Sequence, residues 1–136
     1  MRKGWPVLAW VSVALWAPGC IVIHTEEDAP YRPRAAGPPS AAMQEINAVR
    51  KLSFDSDRAE RYAQIARREG LSERTQIYLI EAVLKHLAFE NAKVDVLLAL
   101  AGNPSFTPGA RAALLERLDR LAFEHDKRAI LEALEG

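Results

Sequence analysis

"LAFENAKVDVLLALA", residues 87–101, has two relatives in the same chain, "LSFDSDRAERYAQIA" at 52–66 and "LAFEHDKRAILEALE" at 121–135. Phe54 and Phe89 are 35 residues apart, and Phe89 and Phe123 are 34 apart. Each copy has a leucine two places before the phenylalanine, an acid directly after it, and Arg58, Lys93 or Lys127 four places after it. Apolar columns follow at Tyr62/Leu97/Leu131 and at Ile65/Leu100/Leu134. Self-similarity at such a period marks units that bury an apolar face only against their neighbours.

The segments between the phenylalanines correspond as well. "EGLSERTQIYLIEAVLKHLAF" matches "PSFTPGARAALLERLDRLAF", and a shorter form, "PPSAAMQEINAVRKLSF", precedes the first copy. Each opens on a hydroxyl suited to capping a helix, Ser40, Ser72 or Thr107, and Pro108 follows the last at a first helical position. Leu71 and Phe106 stand just before their caps, where an apolar side chain can staple the incoming chain. Ile77, Ile80, Leu84 and Leu87 keep helical spacing, as do Ala110, Leu114, Leu118 and Leu121. The pattern predicts six short helices near 40–52, 56–69, 72–87, 91–101, 107–121 and 125–135, with no strand. The expected fold is all-α, in stacked helix pairs forming an irregular bundle or short α-solenoid over residues 41–136.

The residues ahead of this domain have another character. "MRKGWPVLAWVSVALWAPGC" has Arg2 and Lys3, an apolar stretch to Trp16, and a small-residue approach to Cys20. Residues 1–19 therefore read as an export signal. They resemble a bacterial lipoprotein signal, which implies a lipidated Cys20 and a membrane anchor, although Ala17 and Pro18 depart from the usual residues before the cysteine. An uncleaved anchor over residues 4–23, or a cleaved soluble product, is the alternative. Residues 20–40 hold the lone cysteine and then Pro30, Pro33, Pro38 and Pro39, a semi-rigid tether. All three readings put the helical part outside the cytoplasm, and the lipoprotein reading puts it in the bacterial cell envelope.

The 136-residue chain balances 18 Lys+Arg against 18 Asp+Glu. Loss of residues 1–19 removes Arg2 and Lys3 and no acid, which leaves 16 basic and 18 acidic groups and a formal charge of −2. Such a balance excludes the basic footprint that nucleic acid requires. One cysteine excludes a disulfide within the chain, so stability rests on packing.

Phe54-Asp55-Ser56-Asp57-Arg58, Phe89-Glu90-Asn91-Ala92-Lys93 and Phe123-Glu124-His125-Asp126-Lys127 resemble the recurring Phe-Asp-x-Asp-Lys motif of a helical family. This is the domain-of-unknown-function family numbered 4476, found in exported bacterial proteins. The resemblance spans roughly residues 42–135 and departs at Glu90, Glu124 and Ala92. It implies a helical fold and an exported location, and no catalytic role.

Taken on their own, the motif acids suit helix starts, where the macrodipole favours negative charge. Asp57 with Glu60 has capping-box spacing, Asn91 is the natural cap of the second copy, and Asp126 or Glu124 that of the third. The phenylalanines are expected to plug the gaps between consecutive helices. A calcium loop counted from Asp55 would place Ala59, Glu60 and Ala66 at positions five, six and twelve, which does not match the required oxygen ligands and glycine. His24, His86 and His125 have no metal-binding partner at suitable spacing, and Lys85, Arg117 and Arg120 read as a solvated face. No cofactor, metal site or nucleophile–base set is expected. The expected function is non-catalytic binding of a protein or envelope component. A self-associating envelope protein, exposing Ile130, Leu131 and Leu134, is the alternative, with an enzyme of unrecognised type behind it.

Overall fold

A computed structural model describes residues 38–136; the export signal, Cys20 and the tether as far as residue 37 lie outside the described residues. Among the described residues there are six α-helices and no strand: α1 (Ala41–Val49), α2 (Asp55–Ala66), α3 (Glu73–His86), α4 (Glu90–Ala101), α5 (Pro108–Glu116) and α6 (Glu124–Glu135). The hydroxyl caps form as the sequence suggests. Ser40 accepts from the Met43 amide, Ser72 from Thr75 and Thr107 from Ala110, each at 3.2 Å, and Pro108 opens α5.

The helices pack in two layers. In one, α3 lies between α1 and α5; in the other, α4 lies between α2 and α6, with α2 against α4 the most extensive contact. Consecutive pairs α1–α2 and α3–α4 also pack, so the chain is a short stack of helix pairs. Ile46, Tyr62, Ile65, Leu79, Ile80, Leu97, Leu100, Leu114 and Ile130 are buried in one continuous core. Leu71 and Phe106 pack against it from their staple positions.

Three of the predicted spans end early, α2 at Ala66 in place of 69. α1 stops at Val49, where Lys51 and Leu52 donate back to Ala48 and Val49 at 3.0 Å and tighten the chain into a turn. α5 stops at Glu116, and Arg117 leads into a 3₁₀ turn over Leu118–Arg120. There the Arg117 Nη1 donates to the Ala113 carbonyl at 2.8 Å, satisfying an acceptor at the helix end.

Helix order puts the three phenylalanine joints at one end of the stack and the two longer loops, 67–72 and 102–107, at the other. The loop end is held by two buried amides. Asn103 Nδ2 donates to the Ala66 and Arg68 carbonyls, both at 2.7 Å, and its Oδ1 accepts from the Ser105 amide at 2.8 Å. Gln76 Nε2 donates to the Leu71 and Ser105 carbonyls at 2.9 and 2.8 Å, and its Oε1 accepts from the Thr107 amide at 3.0 Å. Buried polar atoms are tolerated when paired in this way. Gly70 takes the left-handed turn of the first loop at φ 75°.

Ile130 and Leu134 are buried within the chain, contrary to the expectation that α6 offers them to another copy. Leu131 alone of that trio is exposed, at 40%. Its column mates Tyr62 and Leu97 are fully buried because a further repeat covers them, whereas none of the described residues covers α6 in the same way.

Candidate functional site

The phenylalanine joints are built alike. Phe54, Phe89 and Phe123 each hold the N-cap position of α2, α4 or α6 with extended backbone, at φ/ψ −100/137°, −91/131° and −110/136°. None of these caps makes a side-chain hydrogen bond. The expected carboxylate and amide caps are therefore absent: α2 starts at Asp55, two residues before Asp57, and Asn91 and Asp126 lie inside their helices. Asp57 is exposed on the first turn of α2, and Asp126 lies 3.1 Å from the His125 Nε2.

The phenylalanines do not plug the joints. Phe54, Phe89 and Phe123 are 69, 64 and 53% exposed. The second and third joints are filled instead by Leu87 and Leu121, at 3 and 2% exposure. Leu87 is the C-cap of α3 and continues its buried side, whereas Phe89 already stands before the first turn of α4 and lies at the rim. His125 stacks on Phe123 with ring centroids 5.5 Å apart.

The acid after each phenylalanine serves the neighbouring repeat. Asp55 accepts from the Ala88 and Phe89 amides of the second joint, at 3.0 Å through Oδ1 and 3.3 Å through Oδ2. Glu90 accepts from the Ala122 amide of the third joint at 2.5 Å. Glu124 occupies the same place in the third copy but, among the described residues, pairs with Lys127 alone, at 2.6 Å, and that contact holds its carboxyl below the usual range. The basic residues complete the clamps. Arg58 Nη1 donates to the His86 carbonyl at 2.9 Å, its Nη2 lies 3.8 Å from Asp55, and Lys93 pairs with Glu90 at 3.2 Å. Each clamp reaches one repeat ahead, a contact invisible to local spacing.

An open cleft of about 470 Å³ lies between the first two joints, lined by Phe54, Asp55, Ser56, Phe89, Asn91 and Ala92. A second cleft, between α2 and α4, shares Asn91 and Ala92 with it and is lined also by Glu60, Arg67 and Asp95.

Asp55 spends both carboxylate oxygens on backbone amides, while Asp57 faces outward, so the two do not form an acid–base pair over a common pocket. Among the described residues no group of three or more His, Cys, Asp or Glu side chains is arranged to hold a metal ion, and no helix is long and apolar enough to cross a membrane. What the joints present is a row of rim aromatics on a backbone fixed by clamps, an arrangement suited to binding. No protein-family model, no curated protein and no solved structure matches the chain.

Proposed function

We propose that this chain is an exported, lipid-anchored, non-catalytic helical-repeat domain of the bacterial cell envelope, and that its phenylalanine edge binds another protein. The observation that carries the reading is the exposure of Phe54, Phe89 and Phe123 at three equivalent rim positions. Rim aromatics cost free energy in contact with water, and aromatic side chains dominate the energetics of protein interfaces. The lipoprotein-like signal ending at Cys20 and the proline-rich tether support the anchored location. The motif's resemblance to the domain-of-unknown-function family numbered 4476 supports an exported helical domain. The occupation of Asp55 and Glu90 by structural amides supports a non-catalytic role.

Photo-crosslinking amino acids placed at 54, 89 and 123, with position 132 on α6 as control, test the binding edge in the native envelope. The reading expects one common adduct from the three edge positions and none from the control. Absence of an edge adduct, or equal yield from position 132, overturns it. For the anchor, Cys20→Ser is expected to abolish incorporation of labelled lipid, and retained labelling would refute lipidation at that residue.

A further inference from the structure

In the other layer, between α1 and α3, a recess of about 200 Å³ is lined by Ile46, Asn47, Arg50, Tyr78, Glu81, Ala82, Lys85 and His86. Its floor includes the buried Ile46 and Ala82, and its rim is cationic. Neither the Arg50 nor the Lys85 side chain has an ion-pair or hydrogen-bond partner among the described residues. Glu81, the carboxylate in this lining, does not neutralise them. Its Oε1 is taken by Arg117 Nε and its Oε2 by Arg120 at 2.8 Å.

Arg58 lies outside this lining but donates to the carbonyl of His86, which is part of it. Burial, followed by the charges of Lys85, Arg50 and Arg58, pushes the His86 imidazole below its ordinary value. A helix C-terminus favours nearby cations and accounts for Lys85 and His86 at the end of α3. Arg50 is the C-cap of α1, so the recess gathers cations from the ends of two helices.

We propose that this recess is an anion site for a phosphate-type oxyanion, held by Arg50 and Lys85 with His86 at its edge. Several cationic donors from separate elements suit an anion with several acceptor oxygens, and the volume suits a small phosphorylated group. That group is either the phosphate of an anionic lipid headgroup or that of a soluble phosphate compound. The recess shares no lining residue with the phenylalanine cleft and does not depend on that cleft having a partner.

His86 is the reporter. From α1 it faces Arg50, from α2 Arg58, and on α3 it neighbours Lys85 and lies in the recess with Tyr78 and the arginine-bound Glu81. A bound anion offsets that positive field and favours imidazolium, so the His86 midpoint rises and binding tightens as pH falls through it. The test uses the full chain in alkyl-maltoside micelles, with the His86 ring followed by NMR. Inorganic phosphate is expected to raise the midpoint by about one pH unit, against no change with chloride at equal ionic strength. Arg50→Gln and Lys85→Gln, both at exposed positions, are each expected to weaken phosphate binding about tenfold, and Arg128→Gln on α6 to leave it unchanged. In phosphatidylcholine nanodiscs, a rise on doping with phosphatidylglycerol identifies the lipid headgroup, and a rise only on adding glycerol phosphate identifies a soluble ligand. No rise with any phosphate probe, or an equal rise with chloride, overturns the proposal.

Discussion

The loop end and the phenylalanine end of the stack both tie one repeat to the next with side-chain-to-backbone hydrogen bonds, but in different surroundings. At the loop end Asn103 and Gln76 are buried, with both ends of each amide occupied. At the phenylalanine end the clamps are carboxylates near the surface, flanked by exposed rings. Losing a bond at the first end strands buried carbonyls, while losing one at the second lets water take its place. The difference assigns stability mainly to one end and leaves the other free to meet a partner.

Asn103→Ala breaks the comparison most severely. It removes three hydrogen bonds and leaves the Ala66 carbonyl without its partner, and is expected to cost about 2–4 kcal/mol in denaturant unfolding. Glu90→Ala removes the acceptor of the Ala122 amide and the counterion of Lys93, at an expected cost of about 1–2 kcal/mol in the same measurement. A larger loss from Glu90→Ala than from Asn103→Ala would reverse the assignment of stability to the loop end. Phe89→Ala is expected to change stability by less than about 1 kcal/mol, since a cost of about 3–5 kcal/mol belongs to a buried ring. A large drop in Tm would show that the ring is packed after all.

The smallest effect concerns acid. Glu45 is paired with Arg68, and Glu81 with Arg117 and Arg120; these partners hold both carboxyls below their ordinary value of 4.5. A carboxyl depressed in the folded state contributes stability above its unfolded pKa and loses it as pH falls through the lower folded value. Glu45→Gln and Glu81→Gln are therefore expected to lower stability slightly at neutral pH, with the deficit closing below pH 4.5. A deficit unchanged by acid in pH-dependent thermal unfolding would show that the arginine pairs contribute nothing to folding.

Much of the helical framework was legible because it is local. Ser40, Ser72 and Thr107 cap the helices they precede, and five of the six residues in the two apolar columns are buried. The candidate site was legible as a motif but not in its roles. Asp55 and Glu90 looked like acids for their own helices, since spacing within a motif says nothing of an amide about 33 residues away. Gln76 carried a faint signal, a polar residue among the apolar positions of "TQIYLIEAV", which in a buried column implies a partner. Arg50, Lys85 and His86 carried none, because their convergence follows from how α1 packs on α3.

By itself the sequence determined the helical class, the repeat and the hydroxyl caps, all of which depend on residues a few positions apart. Only the tertiary structure decided which face each motif residue presents. The fate of a side chain at a joint depends on the angle at which two helices meet and on the repeat stacked next to it. That is why Leu87 is the plug, Phe89 is the rim, and Asp55 belongs to the repeat that follows it.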